Sequence, residues 1–342
     1  MSAVPSVTEI AISDTLLKPI TGKHSLAEYV RILARGKNAS RSMTFDEAKF
    51  TMTELVAGRF EPEQLGAILM LLRVKEETPE ELAGFAAAIN EVWPEHVHFD
   101  LVWPSYAGKR RQPFWCLLSA LLLNQMGYRI LFHGTTAHTE GRIYLHEVFE
   151  QLGLPQLTSM DQLADAPSLA YLPCEQINPL FQRWLSLKAI LGVRSPINTL
   201  LKTISPDHCA SVQGIFHPNY SITHAGAAEI NGDNMLVIKG EGGEFEVNPE
   251  RTVKATYHLD GKSGELTIPN QQSHYDDKPK NQIDTELLVK QWRGELQSEY
   301  AFQAIIRTAA LALVSITKQP EKLDEFLALA EKAWNERDTS LL

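Results

Sequence analysis

The strongest constraint on how this chain folds is a change of pattern near residue 99. Residues 99–103 form a short apolar run that reads as a buried strand. Residues 113–126 are apolar nearly throughout and read as a helix, and residues 128–132 read as a second strand. Strand, loop, helix and strand in that order are βαβ grammar, which implies parallel strands. Between the first strand and the helix lies Ser105-Tyr106-Ala107-Gly108-Lys109-Arg110-Arg111-Gln112. A loop in that position aims backbone N–H groups at its occupant, and the helix dipole favours an anion there. Three consecutive cations oppose that dipole at about 0.3 kcal/mol or more each, which a bound anion would offset. Lys109, Arg110 and Arg111 are therefore the leading candidates for phosphate contacts, set against the plainer reading of a solvated charge run.

The residues before this unit are helical. Residues 24–34 have apolar positions at helical spacing and stop at Gly36. Thr44 with Glu47, and Thr78 with Glu81, are two capping boxes, the second followed by Pro79 at the first helical position. They open helices at about 45–57 and 79–91, with another at 63–74, so the first 95 residues read as a compact all-α unit. After the βαβ unit, helices are expected at 144–152, 178–191 and 195–202. Strands are expected at 211–216, 235–239, 252–257 and 265–268. Long helices at 285–315 (with a break) and 320–336 close the chain, and the polar stretch 271–282 is the expected mobile loop. The fold class expected is α/β, a small all-helical domain (1–95 and about 176–205) beside a larger α/β domain (96–175 and 206–342) with a mainly parallel sheet.

Composition narrows the functional classes. A net charge of −10 argues against a protein coated in positive charge but leaves room for a local basic groove. Cys116, Cys174 and Cys209 form no CxxC pair, which argues against structural zinc or a disulfide framework and suits a reducing compartment. The N-terminus carries no basic-then-apolar signal, and the apolar run at 116–123 is too short to span a bilayer, so a cytoplasmic location without membrane contact is expected.

Residues 67–75, with Glu77-Thr78-Pro79-Glu80-Glu81-Leu82-Ala83-Gly84, resemble the N-terminal helices of anthranilate phosphoribosyltransferase, a glycosyl transferase of family 3. His133-Gly134, Phe149-Glu150-Gln151-Leu152-Gly153 and residues 191–198 extend the likeness in the same order. The resemblance implies the nucleoside phosphorylase/phosphoribosyltransferase-like fold, with an active site between the two domains. Three parts of the family's apparatus are altered. Where its glycine-rich loop meets pyrophosphate, this chain has residues 106–110 with only Gly108 retained. Its K-H-G-N-R motif reads Phe132-His133-Gly134-Thr135-Thr136. Its adjacent Asp-Glu magnesium pair falls near Gly243-Glu244-Phe245-Glu246, where the two carboxylates are not adjacent.

Residues 104–110 are similar to the loop of the divergent YbiB-like branch, with Ala107 where asparagine is usual. That resemblance implies loss of phosphoribosyl transfer, non-sequence-specific binding of DNA (single- or double-stranded) in a basic groove, and a homodimer through the N-terminal helices. No cofactor, metal or catalytic residue is then expected. The alternative is a phosphoribosyl transferase acting on an atypical substrate, its phosphate held by the basic loop. Arg194 matches an arginine that contacts the aromatic acid in the transferases. It fits either a phosphate contact or a helix cap, and Lys202 follows in the same segment. Arg35, Lys37 and Arg41 flank a turn and fit both a phosphate surface and charge after a helix end. Tyr106, Gly108, His133 and Gly134 are the expected cleft residues. Tyr106 and Trp115 are candidates for base stacking as well as for packing.

Overall fold

The computed structural model describes residues 22–36, 38–95, 97–136, 139–207, 209–280 and 283–342. Four helices come first, α1 (Ala27–Ala34), α2 (Phe45–Val56), α3 (Pro62–Lys75) and α4 (Pro79–Asn90). Both expected capping boxes form, since Thr44 and Thr78 accept from the backbone N–H of Glu47 and Glu81, whose carboxylates reach back to the cap. The Glu81 carboxylate also accepts from Met43 N at 2.8 Å, so one buried side chain ties the start of α2 to α4.

Seven strands form one sheet: β1 (Leu101–Ser105), β2 (Ile130–Gly134), β3 (Leu169–Pro173), β4 (Ala210–Ile215), β5 (Met235–Lys239), β6 (Val253–Leu259) and β7 (Lys262–Ile268). Their order is β3-β2-β1-β4-β5-β6-β7. The first five are parallel and the last two close it as an antiparallel hairpin. The fold is thus a helical N-terminal unit with an α/β body, as the sequence led us to expect.

β1 and β2 run two residues further than the apolar runs suggested, because Ser105 pairs with Gly134 at their ends. β3 was not anticipated, nor was the helix Tyr220–Asn231, which supplies the crossover that parallel β4 and β5 require. Gly226 lowers the helical signal of that segment. It is there for close approach, since a Cβ would stand 2.9 Å from the Pro79 ring at the start of α4. The single helix expected at 178–191 is broken into two, Leu180–Ser186 and Lys188–Leu191. The stretch 271–282 is held where it is described, by Tyr275 packed on Tyr300 and Lys278 paired with Glu250. Asn281 and Gln282 lie outside the described residues.

One face of the sheet carries α5 (Trp115–Gln125) and the helices Glu299–Thr317 and Leu323–Asn335, all within one apolar core. A second core joins the other face, through Val102, Leu131 and Leu172, to the helical unit. The helix Glu299–Thr317 has the length and hydropathy to cross a membrane, but 83% of its most apolar window is buried in the core.

Candidate anion site and basic groove

From β1 the chain winds outward through β2 and β3, and from β4 it winds the other way through β5. β1 and β4 are neighbours, so their carboxyl ends flank the topological switch point where open α/β sheets bind ligands. The loop after β1, the turn after β4 and the segment after β5 converge there.

The anion expected at this loop is supplied by the chain itself. Ala107 N and Gly108 N each donate to Glu244 Oε1 at 2.7 Å. Cys116 N, in the first turn of α5, donates to Glu246 Oε2 at 2.8 Å. The other oxygen of Glu246 takes the Lys109 ammonium, which also donates to Pro113 O at 2.8 Å. Lys109 is 2% exposed and Glu246 fully buried. Burial pushes the Glu246 carboxyl above its ordinary value, against the opposing pull of Lys109. Arg142 Nη1 braces the loop from outside, donating to Ala107 O at 2.7 Å and Gly108 O at 2.6 Å.

Several expected ligand contacts are internal instead. Lys109 is consumed by Glu246 and offers no free charge to solvent. Lys202 is likewise buried, its ammonium bonded to Gly214 O and Gly243 O, and burial pulls it down to about 8 against the attraction of Glu244. Tyr106 is fully buried, with its hydroxyl 2.7 Å from His133 Nδ1. Burial holds the His133 imidazole down at about 3, so it is neutral near pH 7. Trp115 is also fully buried, so neither Tyr106 nor Trp115 presents a face for stacking. Gly108 has φ +67° with a Cβ position 3.0 Å from Ile143 O, and a Cβ on Gly134 would lie 2.2 Å from Ser105 O. Both glycines answer to neighbouring backbone.

The same contacts decide the fit of magnesium, which the family resemblance implies. Glu244 Oε1 accepts from two amides and the two Glu246 oxygens from a lysine and an amide, so three of the four carboxylate oxygens are already taken by the chain's own donors, a poor fit to a shared ion. Among the described residues no three His, Cys, Asp or Glu side chains gather as for a metal.

Outside this knot lies a groove of about 930 Å3 whose lining includes Glu241 and Glu250 but is mainly basic, with Arg110, Arg111, Lys239, Arg251 and Lys280. These five are exposed. Lys239 is the last residue of β5, a position readable from sequence as a cation at a strand's carboxyl end. Arg251 and Lys280 carry no such signal. Beyond Phe216 and Gly242 the groove adjoins a smaller cleft of about 140 Å3, which holds Arg194, Arg73 and Glu77. Burial, then repulsion from Arg194 and Arg110, pulls the Arg142 guanidinium below its ordinary value, so these three arginines share one field. Arg35 and Arg41 line neither space; Arg41 is paired with Glu47 at 2.6 Å and Arg35 stands exposed after α1. Lys37 lies outside the described residues.

Glu77 gives the smaller cleft a pH signature. Burial pushes its carboxyl up to about 7, with Tyr220 and Arg73 beside it. A carboxyl raised in the folded state holds its proton better than in the unfolded chain. Stability from it is present at low pH and is lost as pH rises from about 4.5 through about 7. Unfolding free energy should fall by about 2 kcal/mol between pH 5 and 8. Glu77→Gln should flatten that slope in urea titrations, and an unchanged slope would rule out Glu77 as its source.

With this geometry in place, comparison with known proteins is informative. Residues 27–92 match the helical bundle domain of the glycosyl transferase family. The chain is 28% identical over 233 residues to the uncharacterized protein YbiB of Escherichia coli K12, covering 65% of this chain and 72% of that protein. It is 31% identical over 227 residues to an uncharacterized protein of Aquifex aeolicus VF5, covering 64% and 69%. Anthranilate phosphoribosyltransferase of Thermus thermophilus is 29% identical over 217 residues, covering 61% and 65%. The crystal structure of a Thermus thermophilus anthranilate phosphoribosyltransferase superposes with a TM-score of 0.69 at 22% identity, over 91% of this chain and 98% of that one. The Saccharomyces cerevisiae enzyme in complex with PRPP and Mg gives 0.70 at 15%, over 91% and 94%. At those identities the superpositions establish the fold alone.

Proposed function

The chain belongs to the anthranilate phosphoribosyltransferase-like glycosyl transferase family 3 superfamily, and from that premise we propose that it binds nucleic acid through phosphate contacts and carries out no phosphoribosyl transfer. The observation that carries this reading is Glu244 seated on the amides of Ala107 and Gly108. In the transferases that the sequence resembles, the matching loop meets pyrophosphate. Here a carboxylate fills the place of the phosphate, and Glu246 is locked to Lys109. Transfer from a polyphosphate needs its charge compensated, and both sources of compensation are engaged with each other.

The groove beside this knot supports the binding half. Arg110 and Arg111 are exposed at one end, with Lys239 and Arg251 further along, on a chain whose net charge is −10. Cations concentrated in one groove of an acidic protein suit a linear polyanion held by its backbone, with weak sequence preference and strong salt dependence. A homodimer through the N-terminal helices, where the tilted rings of Tyr29 and Phe50 meet with centroids 5.3 Å apart on the partly exposed outer side, and a cytoplasmic location belong to the same reading. Light scattering reads the dimer directly.

The test is DNA affinity against salt. Wild-type protein should bind with log K falling linearly in log salt, and Arg110→Ala with Arg111→Ala should reduce the slope by at most about two per protomer. No binding at low salt, or a flat slope, would sink the reading. Turnover of phosphoribosyl pyrophosphate with magnesium and a panel of aromatic acids would replace it with a transferase on an atypical substrate.

A further inference from the structure

Phe216 is the largest exposed aromatic side chain at the switch point. It follows β4 directly, is 57% exposed, and forms the wall shared by the basic groove and the smaller cleft. Its Cβ and ring edge stand over Gly243, where an added Cβ would lie 3.7–3.8 Å away. The His217 ring meets it edge-on, with centroids 5.0 Å apart and planes at 79°. An isolated exposed apolar residue needs no explanation. This one is set among cations, with Arg110, Arg111, Lys239 and Arg251 lining the groove on one side and Arg194 the cleft on the other.

Alternation of cations with an exposed aromatic face is the arrangement that holds a strand whose bases are unstacked. A duplex offers its phosphates to such a groove but keeps its base faces covered. The groove continues past Lys239 and Arg251 into a further hollow of about 440 Å3 that reaches Lys254. The cationic track therefore follows the carboxyl edge of β5 and the neighbouring hairpin, and Arg35 and Arg41 line no part of it.

We propose that a single nucleic-acid strand follows Arg110, Arg111, Lys239 and Arg251, with one of its bases stacked on Phe216, so that the site favours unpaired strands over duplex. This rests on the nucleic-acid reading above and assigns it a strand class and a specificity residue. Base-on-aromatic stacking is worth about 1–3 kcal/mol per base, or roughly 5- to 150-fold in affinity.

The experiment is fluorescence anisotropy with a labelled 20-nucleotide oligothymidine and a 20-base-pair duplex, each across a salt series. Phe216→Ala should weaken oligothymidine binding about tenfold with its salt slope unchanged, and the loss should fall on the single strand. Phe216→Trp should retain the single-strand preference. Lys239→Ser with Arg251→Ser should lower the slope by about 1.4 on the single strand and about 1.8 on the duplex. The three substituted positions are exposed, so thermal melting of the variants should match the parent. Equal loss on both substrates, or no loss, for Phe216→Ala overturns the stacking assignment while leaving nucleic-acid binding standing. Failure of the wild type to bind either substrate overturns the reading beneath it.

Discussion

Replacing Lys109 by methionine is expected to lower the unfolding free energy by about 3–5 kcal/mol, whereas Arg110→Ala and Arg111→Ala, one and two residues on, should change it by less than about 0.5 kcal/mol. The three cations are adjacent in sequence and separate in physics. Arg110 and Arg111 stand in solvent, while Lys109 turns inward to Glu246 and Pro113 O beneath the start of α5. Removing its ammonium leaves a fully buried carboxylate with no cation, held by the backbone N–H and side chain of Cys116. That carboxyl already sits above its ordinary value because of burial, and Lys109 is the group that opposes the shift. In the variant it rises further, so the folded state gains a proton that the unfolded chain releases at neutral pH. The loss should therefore be large at pH 8 and shrink as pH falls toward 5. Lys109→Met combined with Glu246→Leu should recover much of the loss, because an apolar pair of similar volume carries no desolvation penalty. Urea titrations followed by tryptophan fluorescence measure all three. A Lys109→Met variant as stable as Arg110→Ala would mean that the pair does not hold the loop.

What the sequence made legible was local. The capping boxes at Thr44 and Thr78 set two helix starts, and the apolar runs on either side of residues 105–112 set the βαβ unit. The loop after β1 was legible as an anion site because strand ends and helix starts carry that property wherever they meet. Its occupant was not. Glu244 and Glu246 lie 130 residues or more from the amides they satisfy, and the sequence marked them only as the place of the family's magnesium pair. Only the return of β5 to the side of β4 brings them together. Burial of Lys109 and Lys202 was hidden for the same reason, since a lysine's exposure depends on whether a distant carboxylate or carbonyl meets it. β3 escaped notice because five residues ending in a proline are too few to show a period.

Removing the Glu244 carboxylate tests whether the family's phosphate site is lost or merely filled. Glu244→Ala should cost about 3 kcal/mol, because the buried N–H groups of Ala107 and Gly108 lose a charged acceptor at 2.7 Å. Glu244→Gln keeps an acceptor of the same reach and should cost about 1 kcal/mol. The alanine variant leaves two convergent amides and a nearby buried ammonium on Lys202, which together are what an oxyanion needs. Phosphate or pyrophosphate should then bind where the carboxylate was. At about 10 mM and a Kd near about 1 mM, it should return about 1.4 kcal/mol of stability to Glu244→Ala. Chloride at equal ionic strength should not do this, nor should phosphate stabilise the parent to the same degree. The exposed arginines attract phosphate in every variant, so the informative quantity is the difference between Glu244→Ala and the parent in the same buffer. A variant that gains no more than the parent would mean that removing the Glu244 carboxylate opens no phosphate site in the loop, and that the arginines account for all the phosphate bound. A variant that gains alone would mean that the loop still has its anion-binding geometry, and that a single internal carboxylate occupies it.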